Sequence, residues 1–255
     1  MSEQARSDGS DPDLPGVLLP ELTHAVLLRR YKRFLADVRL DDGTEVTAHC
    51  PNPGRMTSCM EPGWSVWLSH HPSPKRKLKW GWELSITPQN IPILVNTQRP
   101  NAVLADALRR GLIPELGGYE SVRTEVRYGE ERSRIDALLE NPGRCFVELK
   151  SATLLVEPGL AAFPDAVSTR GAKHLRELAH MVQNGDRSVL FFLISRGDAQ
   201  RIQPARDVDP KYGLELDKAL AAGVEVLAYS MEISDPRAGP VRLSLGPERS
   251  FRANP

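Results

Sequence analysis

Asp136, Glu148 and Lys150 are residue types that metal-assisted phosphoryl chemistry uses, and they lie close together in the chain. They fall within Arg134 to Lys150, which reads R-I-D-A-L-L-E-N-P-G-R-C-F-V-E-L-K. Asn141-Pro142-Gly143 marks a turn, and both flanking runs alternate as strands do. In 145–150 the side-chain period of two sends Cys145, Val147 and Leu149 to one face, and Glu148 and Lys150 to the other. A turn centred near Pro142 sets Asp136 opposite Glu148, about 5 Å apart at Cβ. Two carboxylates on one face suit a hard cation such as Mg²⁺ or Mn²⁺, with the Leu149 carbonyl as a third oxygen. Lys150 would steady or deprotonate an attacking water, or neutralise charge on a phosphate.

This D-x₁₁-E-x-K spacing across a hairpin is the arrangement of PD-(D/E)xK nucleases. The same residues also recur in surface hairpins as solvated salt-bridge ladders. Here they stand in an otherwise apolar strand, where charge is costly unless used. Glu120 or Glu125, in the preceding strand, would supply a further carboxylate, and the sequence does not choose between them.

The elements that position these residues follow from periodicity. Residues 1–16, rich in Ser, Asp, Pro and Gly, read as a disordered tail. Residues 17–88 show only strand signals: a hairpin of 34–40 and 45–48 around Asp41-Asp42-Gly43, then strands at 64–68 and 80–86. Short strands with frequent turns predict a small closed or partly open β-barrel. From 89 to 255 the pattern changes. Helices are expected at 102–110, 169–184 and 212–222, and strands at 122–127, 135–139, 145–149, 188–194 and 224–229. Strand–helix–strand–helix–strand from residue 145 onward predicts parallel crossovers in a mixed sheet, an α/β unit within an α+β whole.

Basic residues suggest where an anionic polymer would lie. Arg30, Lys32 and Arg33 are read as preceding a strand. Lys75, Arg76, Lys77 and Lys79 run up to Trp80 and Trp82, so that charge tracks a nucleic-acid backbone while rings stack on bases. Trp64 and Trp67 read as core. In the helix over 169–184, Arg170, Lys173, His174 and Glu177 are assigned to the polar side, with a Lys173–Glu177 pair as the plainer alternative. Cations in the opening turns of a helix point to an anionic partner. His49, Cys50 and Cys59 match no zinc spacing.

Composition bounds the rest. The 255 residues carry no net charge and are 40% hydrophobic and 26% charged, as in ordinary globular proteins. Nucleic-acid binding would therefore need a local patch. Three cysteines without CxxC spacing, and no secretory or membrane-spanning apolar run, lead to the expectation of a cytoplasmic protein with no membrane partner.

With these residues identified, the chain resembles the sugar fermentation stimulation protein A family. The resemblance rests on R-Y-K-R-F-L-A-D-V (30–38), V-T-A-H-C-P-N (46–52), P-K-R-K-L (74–78), V-N-T (95–97), R-S-R-I-D (132–136), V-E-L-K-S (147–151), F-P-D-A-V (163–167), R-G-A-K-H-L-R-E-L (170–178) and G-V-E-V-L-A-Y (223–229). It implies an N-terminal OB-fold-like barrel and a C-terminal PD-(D/E)xK nuclease-like domain, with DNA binding as the associated activity and Asp136, Glu148 and Lys150 as the triad. This chain has Pro53-Gly54-Arg55-Met56 where the family usually continues Thr-Gly-Ser-Met, so Arg55 is a candidate phosphate contact. Two functions follow: a sequence-independent DNA-binding protein with a Mg²⁺-dependent nuclease site, RNA not excluded, or a non-catalytic regulator of sugar-metabolism genes with a vestigial site.

Overall fold

The computed structural model describes residues 13–131 and 133–253. The strands and helices in chain order are β1 (Val17–Leu18), β2 (Leu22–Tyr31), β3 (Leu35–Leu40), β4 (Glu45–His49), β5 (Ser65–His70), β6 (Trp80–Ile86), β7 (Pro92–Leu94), α1 (Pro100–Arg109), β8 (Ser121–Tyr128), β9 (Ser133–Glu140), β10 (Arg144–Ala152), β11 (Leu154–Glu157), β12 (Gly159–Phe163), α2 (Thr169–Gln183), β13 (Arg187–Ile194), β14 (Ala199–Pro204), α3 (Pro210–Ala221), β15 (Glu225–Ile233), β16 (Arg242–Glu248) and β17 (Ser250–Phe251).

In the first half, alternating small and large apolar residues curl a sheet onto itself. The order β4-β3-β2-β5-β6 closes where β4 pairs in parallel with β6, Ala48 against Trp80 and His49 against Gly81, and β7 extends the edge. This is the OB barrel. Ala25, Leu27, Val38, Ala48, Val66, Leu68 and Trp82 fill it. Its sheet runs to Leu94, past residue 88, whereas Val17–Leu18 pairs with β16 of the other sheet. The expected tail at 1–16 falls outside the described residues as far as 12. From there the chain is anchored, with the Gly16 amide bonded to Asp106 Oδ2 at 2.7 Å.

The second half is a seven-stranded mixed sheet, order β1-β16-β15-β13-β10-β9-β8. Both β10–β13 and β13–β15 are parallel. Parallel strands need both faces covered, which explains the unbroken apolar run of β13, buried from Ser188 to Ile194. α1 packs on the face that carries Cys145, Val147 and Leu149. α2 and α3 pack on the other, against Phe146, Leu190 and Phe192. Ser168 caps α2 by accepting the Gly171 amide, and Asp209 caps α3 by accepting the Tyr212 amide. A small sheet, β11-β12-β14-β17, branches from the end of β10.

The halves are joined through buried polar groups. Arg196, 2% exposed, donates to the Thr153 carbonyl (2.7 Å) and to Ser58 Oγ (3.1 Å) of the barrel, and pairs with Asp198. The Leu94 amide donates to the Ser195 carbonyl at 2.9 Å. Removing the guanidinium strands a buried carbonyl and leaves Asp198 unpaired. Arg196→Met should therefore cost about 3 kcal/mol, read as a lower midpoint of chemical denaturation.

Candidate functional site

The β9–β10 hairpin holds the proposed chemistry. The Asn141–Pro142 peptide at its turn is cis. The ladder pairs Cys145 with Leu139, Phe146 with Leu138 and Val147 with Ala137. One step on, this register brings Glu148 level with Asp136, and there the backbone ladder gives way. The Leu149 amide donates instead to Asp136 Oδ2, at 2.7 Å. An extended residue presents its amide and carbonyl on the same edge, so the Leu149 carbonyl also leaves toward β9.

Glu148 and Lys150 share the α2 face of β10, as alternation requires. Glu148 is only 2% exposed, and its Oε1 accepts from Lys150 Nζ at 2.6 Å. His174 Nδ1 contacts the same oxygen, and Arg170 Nε donates to His174 Nε2 at 3.3 Å. In that pattern Nε2 serves as the acceptor and Nδ1 faces the carboxylate. Burial alone would raise the Glu148 carboxyl, but Lys150 and His174 outweigh it and hold the group below its usual range. Asp136 goes the other way: burial first, then the charge of Glu148, push it up to about 6. Its Oδ1 accepts from Asn101 Nδ2 at 2.7 Å, and the same amide reaches Glu125 Oε1 at 3.1 Å.

Glu148 Oε2 is buried and has no hydrogen-bond partner among the described residues. An unsatisfied buried carboxylate oxygen is expensive. Beside it stands a second carboxylate whose ionisation it opposes. Among the described residues no three His, Cys, Asp or Glu side chains gather as a metal cage. Two carboxylates and a carbonyl are the sparser donor set that suits a hard divalent cation completed by water and phosphate oxygens. The residues present fit such an ion.

Of the two open carboxylates, Glu125 adjoins the site through Asn101. It occupies the left-handed region at φ 57°, at the ladder step level with Asp136. Glu120 sits at the far end of β8, where its amide donates to the Glu140 and Asn141 carbonyls.

A cleft of about 680 Å³ opens between the barrel and the second half, lined by Arg33, Asn52, Arg55, Ser151 and Asp165 among others. Arg33 and Arg55 are exposed on its rim. Arg30 is spent differently: its guanidinium donates to the carbonyls of Arg33, Asn52, Gly54 and Arg55 and shapes the loop. Gly54 lies so close to Asp165 that a Cβ there would stand 2.2 Å from its carboxylate, while the Met56 amide donates to Asp165 Oδ2.

Several expectations change. Arg30 lies within β2, one residue from its end, and Lys32 and Arg33 form the turn after it, both at positive φ. Trp82 is fully buried, its Nε1 bonded to the Leu84 carbonyl, so it offers no stacking surface. Trp80 is half-buried against His70, and Trp64 and Trp67 pack on the core edges. Lys75, Arg76 and Lys77 are exposed and do not line the cleft, while Lys79 donates to the Ser73 carbonyl. His174 and Glu177 are buried rather than on a solvated face. The Lys173–Glu177 pair gives way to the β8–β9 turn: Lys173 donates to the Glu131 carbonyl and Glu177 accepts the Glu131 amide. Asn101 was missed in the sequence, where an amide opening a helix gives no periodic signal, and Asp165, quoted within F-P-D-A-V (163–167), was given no role.

Residues 98–237 match the family described as the sugar fermentation stimulation protein RE domain, and residues 28–95 match the SfsA N-terminal OB domain. The chain belongs to the sugar fermentation stimulation protein family. Its relatives include the homologue from Geobacter metallireducens, 55% identical over 217 residues (85% of this chain and 91% of that one). The Shewanella baltica homologue is 51% identical over 217 residues, 84% and 92% of the two chains. Among solved structures, Pyrococcus furiosus SfsA in complex with Ca²⁺ superposes with a TM-score of 0.81 at 28% identity, covering 94% of this chain and 99% of that one. Among the described residues no helix is long and apolar enough to cross a membrane.

The raised Asp136 carboxyl has a measurable sign. A folded-state value near 6 against an ordinary 3.8 means that the metal-free fold binds the extra proton. This contribution is complete below pH 4 and is lost as pH rises through 6. Asp136→Asn removes the titrating group and should flatten that pH window, measured by thermal unfolding in chelator across the same pH range.

Proposed function

We propose that the protein binds nucleic acid in the cleft between its halves and hydrolyses a phosphodiester with a divalent metal held by Asp136, Glu148 and the Leu149 carbonyl. The observation that carries this reading is the buried Glu148 beside a half-buried Asp136, with one Glu148 oxygen unpartnered and Lys150 beside it. When bound, Mg²⁺ or Mn²⁺ would polarise the phosphate and acidify a water. The chain supplies the rest. Asn101 and the Leu149 amide orient Asp136, and His174 and Lys150 hold Glu148 ionised. Lys150 Nζ is the group available to offset charge on the phosphate. The relative in complex with Ca²⁺ supports a divalent-ion site in the family.

Arg33 and Arg55 on the cleft rim offer charge to a backbone without reading bases, which suits sequence-independent DNA binding and leaves RNA open. The reading places the protein in the cytoplasm, where the buried free thiols of Cys50, Cys59 and Cys145 persist.

The test is a cleavage assay with Mg²⁺ and Mn²⁺ on single- and double-stranded DNA and RNA. Cleavage by the wild type should fall at least about 100-fold in Asp136→Ala, Glu148→Ala and Lys150→Ala. Activity surviving in all three would refute the site, and no cleavage of any substrate would refute the hydrolytic step. Binding is tested separately. Arg33→Gln/Arg55→Gln should weaken DNA binding and reduce the slope of log K against log salt by about 1–2, and an unchanged slope would remove the cleft from the interface.

A further inference from the structure

Beyond the carboxylates, β8 and β9 carry a pairing that strands ordinarily avoid. Arg127 and Arg134 are direct cross-strand partners, both exposed. Like charges in this relation destabilise a sheet. The Arg127 guanidinium makes no hydrogen bond or ion pair among the described residues, and that of Arg134 reaches only Glu125, at 3.7 Å. A hollow of about 660 Å³ lies here, lined by Arg127, Tyr128, Gly129, Ser133 and Arg134. Tyr128 and Ser133 alternate with the arginines along their strands and turn to the other face, where their hydroxyls are buried on the α2 side, away from the guanidinium groups. Gly129 and Glu131 are held against α2, because Glu177 accepts the Glu131 amide at 2.6 Å and its carboxylate fills the space a Cβ on Gly129 would need. The hollow is therefore held by α2 and not shaped by its contents.

Two under-used guanidinium forks side by side in one preformed hollow are recognition chemistry for a phosphate. We propose that Arg127 and Arg134 form a phosphate-binding subsite. The ladder makes the siting specific: the Arg127–Arg134 pair lies two residues from the step shared by Glu125 and Asp136. Resting on the nuclease-type reading, the occupant is a strand phosphate neighbouring the one acted on at Asp136 and Glu148. It is either an internal phosphodiester or a terminal phosphate monoester.

Two titrations of the full chain test this. Inorganic phosphate, followed by calorimetry, should bind the wild type saturably and fail to bind Arg127→Gln/Arg134→Gln. No binding by the wild type, or equal binding by the variant, overturns the subsite. Single-stranded oligonucleotides with and without a terminal phosphate, followed by fluorescence anisotropy in chelator, should show a salt slope smaller by roughly 0.7 in the variant. Tighter binding of the phosphorylated end in the wild type alone assigns a terminal monoester, and equal binding of both ends assigns an internal diester. If phosphate binding is lost in the variant but no oligonucleotide binds the wild type, the subsite stands and the nucleic-acid reading falls. Arg127→Glu controls for folding. It replaces repulsion with a cross-strand ion pair, so it should keep or raise the thermal midpoint while abolishing phosphate binding. A lowered midpoint would show the arginines to be structural and overturn the proposal.

Discussion

The constraint on which the rest depends is the burial of a carboxylate in the middle of a strand. Glu148 is 2% exposed, between an apolar sheet and α2. An ionised group there is tolerated only with partners. Lys150 comes from its own strand, His174 from the helix above and Arg170 from one turn earlier, each holding the next. The helix must lie where it does for His174 to reach Glu148. The parallel order β10–β13–β15 gives that helix its seat. The compensation stops one atom short, because Glu148 Oε2 is left without a partner and Asp136 is pushed toward protonation. A fold selected for stability alone would have closed that gap, so the gap is where function is to be sought.

The barrel contributes a wall. Its loop 52–56 is shaped by the Arg30 guanidinium and docks on Asp165 through Gly54 and the Met56 amide, while Arg196 pins Ser58 and Thr153 together behind it. Those contacts are short and mostly to backbone, so the cleft between barrel and sheet has a defined shape. Arg55, on this loop, reaches the rim because Arg30 has already satisfied the carbonyls beneath it.

The hairpin was legible in the sequence because alternation and a turn tripeptide fix register locally. The same holds for the three helices and for β13, whose apolar run has no other stable setting. The reach of α2 was not legible. His174 and Glu177 have polar side chains, and periodicity assigns such residues to solvent. Only the tertiary pairing of one with Glu148 and the other with the Glu131 amide buries them. Trp82 illustrates the converse, since a ring beside lysines reads as a binding surface until the barrel closes over it. The small sheet β11-β12-β14-β17 escaped for want of length and alternation, being built of segments of 2 to 6 residues.

The central claim is that Asp136 and Glu148 form an incomplete site finished by a divalent cation. Calorimetric titration of the metal-free protein with Mn²⁺ near pH 6, in two buffers of different ionisation enthalpy, addresses it most directly. The account predicts saturable binding by the wild type with proton release, because Asp136 must ionise to bind the ion, and no binding by Asp136→Asn or Glu148→Gln. No binding by the wild type, or binding undiminished in both variants, would contradict it.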